Sequence, residues 1–189
     1  MAIDNKLKCN PIFFDKKFTI EVGPNLVLKP IFDEEIEIES KFYLLNSKND
    51  EIKKFIPFAY VDNEEQALER MSNYITDTIL LKTSILYCIR ITDGQIPMLP
   101  IGYINLESPL SPNGLNEWSI NFWLSKHFQG KNIMVTSVYK CLNFLKELEI
   151  SKIKAIVDDD NYKSIKLLTK LDFEKEHNVS DKILFTKNL

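Results

Sequence analysis

The sequence predicts an α/β fold of the α+β kind, with helices flanking one mixed sheet. Two patterns predict it. β-rich runs such as SILYCIRIT, MLPIGYINL, EWSINFWL and KIKAIV alternate with segments whose apolar residues recur at helical spacing. The 189 residues, 44% hydrophobic and 27% charged, suffice for a well-buried core. No internal repeat, low-complexity tract or linker divides them, so one domain over residues 1–189 is expected, with a short N-terminal extension over about 1–17.

Taken in order, Phe18–Val22 and Leu26–Lys29 read as short strands around Gly23-Pro24-Asn25, three turn formers. Asp33 opens an acidic helix in which Ile36, Phe42, Tyr43 and Leu45 line one face. The acidic start suits the positive end of the helix dipole. Its acidic residues, Asp33–Glu39, either attract a cationic amine or form a solvated face. Asn63 caps a second helix that carries Ala67, Leu68, Met71, Tyr74 and Ile75 at helical spacing. Ser84–Thr92 and Met98–Leu106 form a hairpin around Asp93-Gly94. The loop Ser108–Asn116 leads to a strand at Glu117–Leu124, then a helix from about Gly130 to Leu148. A strand at Lys152–Val157, a helix at Tyr162–Leu171 and a closing strand at Lys182–Thr186 complete the chain.

Charge and rare residues exclude several functions. Lys and Arg number 24 against 27 Asp and Glu, a formal charge of -3. That balance argues against a nucleic-acid groove, which needs a clustered basic excess. Cys9, Cys88 and Cys141 are odd in number and lack CxxC spacing, so neither disulfides nor zinc is expected. Cys88 and Cys141 read as core hydrophobes. Only His127 and His177 are present, which makes a multi-histidine metal site implausible. The start shows no signal-peptide core, and the longest apolar run, near Ile79–Leu81, is too short for a bilayer. A cytoplasmic protein with no membrane partner and no metal is expected.

The chemistry concentrates in FWLSKHFQGKNIMVTSVYKCLNFLKEL: a strand, a short polar turn and a long helix. Main-chain N–H groups at such a helix start can cradle an anion. Gly130 permits close approach of a ligand, Asn132 tolerates a left-handed backbone, and Lys131 adds positive charge. The turn reads either as a plain connection or as a phosphate site.

Gln129-Gly130-Lys131-Asn132-Ile133-Met134 resembles the pyrophosphate motif of the GNAT acetyltransferases, Q/R-x-x-G-x-G/A, with His127 at the Q/R position. IKAIVDDDNYKSIKLLTKLDF is similar to the family's DxxNxxSxxLxxKLGF ending through Asp158, Asn161, Ser164, Leu167, Lys170, Leu171 and Phe173. LVLKPIFDEE resembles the LxLRPL opening, and IKKFIPFAYVDNEEQALERM the helix before the central sheet. The likeness runs from about Leu26 to Phe185 and is greatest to the RimJ/RimL type. It implies a GNAT fold: a mostly antiparallel twisted sheet splayed between two parallel strands. It also implies acetyl transfer from acetyl-CoA to a primary amine, on a protein N-terminus or a small molecule, by direct attack in a ternary complex. A monomer or a homodimer is expected.

The same resemblance implies roles. The backbone of Phe122, Trp123 and Leu124 would hold the pantetheine arm and acyl carbonyl. Gln129, Gly130, Lys131, Asn132, Ile133 and Met134 would bind the pyrophosphate, and Asn161 the pantetheine. Ser164 would donate to the leaving thiolate, because Leu168 occupies the position of the tyrosine used by other branches; Tyr162 stands in reserve. Glu117 is the candidate base, since the relatives' strand glutamate (AEIGYWL) falls on Ser119. Each has a plainer reading: Asn161 as a helix cap, Ser164 as a solvated residue, Glu117 as a strand-start carboxylate, and Trp118 and Trp123 as core or pocket wall. The family pattern is broken at Asn132, where a second small residue is usual, and at Asp172, which replaces the glycine of LGF. Asn132 and the missing strand glutamate support a second possibility, a catalytically inactive relative that binds acyl-CoA or a protein partner.

Overall fold

Residues 19–91, 99–111 and 117–189 are described by the computed structural model. The expected N-terminal extension, Cys9, the Asp93-Gly94 turn and most of the Ser108–Asn116 loop lie outside them.

The described residues form eight strands, most of them rich in β-branched and aromatic residues: β1 (Ile20–Gly23), β2 (Leu26–Pro30), β3 (Ser84–Ile91), β4 (Leu99–Glu107), β5 (Trp118–Leu124), β6 (Lys152–Asp158), β7 (Glu174–Val179) and β8 (Lys182–Asn188). They form one sheet in the order β1-β2-β3-β4-β5-β6-β8-β7. Every neighbouring pair is antiparallel except β5 and β6. That parallel pair is joined only at Trp118↔Ile153 and Ser119↔Lys154. Beyond Ser119 the two strands part, which is the expected splay.

The helices are α1 (Ile36–Ser47), α2 (Asp50–Phe55), α3 (Glu64–Thr76), α4 (Ile133–Glu147) and α5 (Tyr162–Lys170). They cover both faces, and β3 is accordingly buried along almost its whole length. On one face Ile85, Tyr87 and Ile89 pack into a core shared with Val138, Cys141, Leu142 and Leu145 of α4. On the other, Leu86, Cys88, Tyr103 and Trp123 meet Tyr43 of α1 and Ala67, Met71 and Ile75 of α3. Cys88 and Cys141 are buried thiols, as read from the sequence.

Four details differ from the sequence reading, each for a physical reason. The first acidic helix begins as a 3-10 turn at Asp33–Glu35, and its buried face is not the apolar one. Leu45 is exposed while Glu39 is fully buried, because Arg90 of β3 donates to Glu35 (3.1 Å) and to Glu39. Neither a solvated face nor an amine trap describes Glu39. Helix α2 was not foreseen, although Asn49 accepts from the Ile52 N–H (3.0 Å) as its cap, with acidic residues at its start and lysines at its end. Helix α4 starts at Ile133 rather than Gly130, since Gly130 (φ 76°) and Asn132 (φ 58°) are left-handed. Strand β7 was missed because EKEHNV is an edge strand whose residues 174–178 are exposed and polar, so no apolar alternation marks it.

Candidate active site

The left-handed turn Gly130–Asn132 fixes the mouth of a cavity of about 660 Å³. Its walls come from α2, the end of β5, the start of α4 and the start of α5. A Cβ built on Gly130 would meet nothing within 4 Å, so the glycine serves its φ and leaves the mouth open. At the start of α4 the Asn132 side chain makes no cap. It turns outward instead, and its Oδ1 accepts from Lys170 Nζ at 3.0 Å. The first helical hydrogen bond to this turn comes from the Thr136 N–H (3.0 Å to Asn132 O). The N–H groups of Ile133, Met134 and Val135 precede that bond and carry the positive end of the helix dipole. Lys163, Lys166 and Lys170 line the same cavity.

Behind the turn the cavity reaches the splay. The Ser125 N–H donates to Ile101 O (2.8 Å) across to β4. Residues of an antiparallel strand face alternate neighbours, so Leu124 and, two residues back, Phe122 turn their main-chain groups toward the gap. The Leu124 carbonyl accepts there from Gln129 Nε2 (3.1 Å). β5 is held in place by close approach: a Cβ on Gly102 would lie 2.6 Å from Trp123 O. Trp123 is both cavity wall and core, its ring 4.8 Å from that of Tyr103.

The structure brings most of the sequence-derived candidates together. Phe122, Trp123, Leu124, Gln129, Gly130, Asn132, Ile133, Met134, Asn161, Tyr162 and Ser164 all line the cavity. Asn161 caps α5, its Oδ1 accepting from the Ser164 N–H (3.2 Å). Ser164 is half-buried and Tyr162 exposed. Lys131 lies outside that lining, its ammonium 5.6 Å from the Phe128 ring. Glu117 also stands apart, paired with Lys154 (2.8 Å) at the start of β5. His127 sits exposed on the 3-10 turn Lys126–Phe128.

Sequence reasoning did not single out the residues that tie the cavity shut along one side. Lys163 Nζ donates to Glu51 Oε1 (2.6 Å) and to Gln129 Oε1 (2.9 Å), and Lys54 pairs with Asp160 (2.5 Å). Hydrogen bonding from Lys163 holds the Glu51 carboxyl below the usual carboxylate range. The available signal was the run of Asn49, Asp50 and Glu51 followed by Lys53 and Lys54, which marks a short capped helix. Glu107 was also missed; it ends β4 opposite Ser119 and accepts from the Ser119 hydroxyl (3.3 Å). No cluster of His, Cys, Asp or Glu able to hold a metal occurs among the described residues, and none of their helices is long and apolar enough to cross a membrane.

Residues 25–174 match the family model for the acetyltransferase (GNAT) domain. The chain belongs to the GNAT acetyltransferase family. No curated protein matches it. Solved structures show the same fold over nearly the whole GNAT chain. The RimL ribosomal L7/L12 alpha-N-protein acetyltransferase in complex with coenzyme A superimposes with a TM-score of 0.75 at 16% identity, covering 91% of this chain and 98% of that one. The Salmonella typhimurium acetyltransferase that modifies the N-terminal serine of ribosomal protein L7/L12 gives 0.72 at 16% identity, covering 91% and 99%. The Vibrio fischeri ribosomal-protein-S5-alanine acetyltransferase gives 0.71 at 16% identity, covering 90% and 96%. This GNAT chain is thus an acetyltransferase with a RimJ/RimL-like fold.

Proposed function

We propose that this enzyme transfers the acetyl group of acetyl-CoA to a primary amine, with a protein N-terminal α-amine as the preferred acceptor. One observation carries the reading: an uncapped α4 start, with left-handed Gly130 and Asn132, opens onto a cavity that runs into the β5–β6 splay. The donors of Ile133 to Val135 and the lysines of α5 suit a diphosphate, and the open space at Gly130 admits it. The preference for an α-amine rests on the similar folds of enzymes that act on ribosomal-protein N-termini.

Acetyl-CoA, when bound, supplies an activated acyl group whose thioester carbonyl takes up negative charge during attack. The chain's own groups do the rest. Main-chain groups of Phe122 and Leu124 orient the pantetheine amides and the acyl oxygen in the gap. Residues Gln129 to Met134 hold the diphosphate, and Lys163, fixed by Glu51 and Gln129, screens its charge. Asn161 positions α5 through its cap and presents its remaining amide donors to the pantetheine. That cap holds Ser164 on the cavity wall, where its hydroxyl donates to the departing sulfur; Tyr162 is the alternative donor. Glu117, whose carboxylate is paired with the Lys154 ammonium (2.8 Å), takes no part in this scheme.

The test pairs calorimetric titration with acetyl-CoA and a thiol-release assay on peptides beginning Ser or Ala and on spermidine. Binding with turnover of a peptide is expected. Binding without turnover would make the chain a non-catalytic acyl-CoA binder, and no binding would end the reading.

A further inference from the structure

A second polar cluster lies beside the closed end of the splay, outside the residues that line the cavity. Glu107 sits directly opposite Ser119, and Ser119 belongs to the last residue pair that joins β5 to β6. Its carboxylate accepts from the Ser119 hydroxyl at Oε2 (3.3 Å) and from Asn105 Nδ2 at Oε1 (3.1 Å). Both donors are neutral, and no lysine or arginine pairs with Glu107 among the described residues. Asn105 is buried, and its own amide oxygen has no hydrogen-bond partner among the described residues. A buried acceptor left unmet is costly and calls for an explanation. Asn105 and Glu107, two residues apart on one strand, share a face. They present an anion and an unmet acceptor with no cation between them. A primary ammonium, with three donors and no acceptor, complements that pair.

Position supports the same chemistry. The gap begins at Ser119 and widens toward Leu124, a stretch of about 17 Å at the usual rise of a strand. A ligand anchored by its phosphates at the start of α4 and extended along the gap directs its far, reactive end toward Ser119. There Glu107 stands directly opposite Ser119 on β4.

We propose that Glu107 is a catalytic base of this enzyme, taking the proton of the acceptor's ammonium while Asn105 and Ser119 orient its carboxylate. The assignment rests on the acetyl-transfer reading above. The ammonium loses one proton to Glu107, which becomes a carboxylic acid, and the freed nitrogen lone pair forms the new C–N bond at the thioester carbon. The C–S bond then breaks with its electron pair on sulfur. Ser164 gives its hydroxyl proton to that sulfur and takes up the second nitrogen proton, so amide and thiol form, and Glu107 later returns its proton to solvent. Burial pushes the Glu107 carboxyl above its usual range; the Ser119 hydrogen bond opposes this and Asp77 adds to it. The facing groups are Asp77 of the π-helical turn Asp77–Leu81, Tyr74 of α3, Ser119 of β5 and Ser84 of β3. Burial drives the Tyr74 phenol up to about 12, so it stays neutral near pH 7. A carboxyl shifted upward is a better match to the ammonium than an ordinary one.

The test compares wild type, Glu107→Gln, and Glu107→Gln combined with Ser119→Glu, which returns the carboxylate from the neighbouring strand. A Ser-initiated peptide is the acceptor, thiol release reports turnover, and calorimetry reports acetyl-CoA affinity. Glu107→Gln is expected to lower kcat by about 10²-fold or more, the span of general-base catalysis, with acetyl-CoA Kd within twofold. The acid limb of the kcat/KM profile should vanish in Glu107→Gln, and the double variant should recover at least tenfold. In the unliganded protein, wild type should lose urea resistance relative to Glu107→Gln as pH rises through the raised carboxyl value, because the fold favours the protonated form. A Glu107→Gln enzyme within threefold of wild-type kcat, or one whose Kd rises as much as kcat falls, would overturn the assignment and leave acetyl transfer intact. Failure of wild type to bind acetyl-CoA would overturn both.

Discussion

Gly102→Ala is the sharpest probe of how the sheet shapes the site. The new methyl carbon would sit 2.6 Å from Trp123 O, 2.7 Å from Leu124 Cδ1 and 3.0 Å from Leu124 Cα. The Leu124 methyl can rotate away, but the carbonyl and the Cα belong to β5 itself. Restoring ordinary contact requires β5 to recede by roughly 0.5–1 Å at the edge of the gap. Overpacking of this kind costs about 1–3 kcal/mol. Because Leu124 also walls the proposed pantetheine channel, a shift of that size should weaken acetyl-CoA binding or turnover by as much as about 10²-fold. Urea denaturation should show a lower midpoint at unchanged slope, and calorimetry with acetyl-CoA a raised Kd. Gly130→Ala is the contrast for folding stability: nothing crowds its Cβ in the unliganded protein, so its cost there is backbone strain, about 1–2 kcal/mol, while the methyl would enter the space proposed for the diphosphate. A Gly102→Ala protein with wild-type midpoint and wild-type affinity would refute the reasoning that β4 sets the position of β5.

Three further outcomes follow from the same geometry. Ser164→Ala should lower kcat more than acetyl-CoA affinity, as compared by steady-state kinetics and calorimetry; equal kcat would remove its hydroxyl from thiolate protonation. Asn132→Gly should keep acetyl-CoA affinity within about threefold by calorimetry, because the asparagine side chain points to Lys170 rather than into the helix start. Glu39→Ala should cost about 3 kcal/mol in urea denaturation by removing the buried carboxylate to which buried Arg90 donates.

Legibility in the sequence followed the physics of each segment. The backbone of the α4 turn could be read because glycine and asparagine are the residues that most readily adopt left-handed conformations, and both prove left-handed. The Asn63 and Asn161 caps were legible as local chemistry, and their hydrogen bonds to Gln66 and Ser164 bear this out. Glu39 was not legible: its burial depends on Arg90, 51 residues away, and no local pattern announces that pairing. The ties from Glu51 to Lys163 of α5 and from Lys54 to Asp160 just before it are likewise long-range, between side chains that look like ordinary surface charge. Glu107 looked like the polar end of a strand, and only the β4–β5 register sets it against Ser119.

The parting of β5 from β6 has a mechanical consequence. Among the described residues, two residue pairs are all the strand ladder that joins the β1–β5 portion to the β6–β8 portion. Cohesion across that seam therefore falls on side chains, chiefly those of α4 and α5 packed beneath Ile120, Ile153 and Ala155. A pantetheine arm laid in the seam would act as a surrogate strand, its amides supplying the rungs that the ladder lacks. The nucleotide end would anchor this stitch, lacing the sheet beyond the two pairs at Trp118 and Ser119 that already join it.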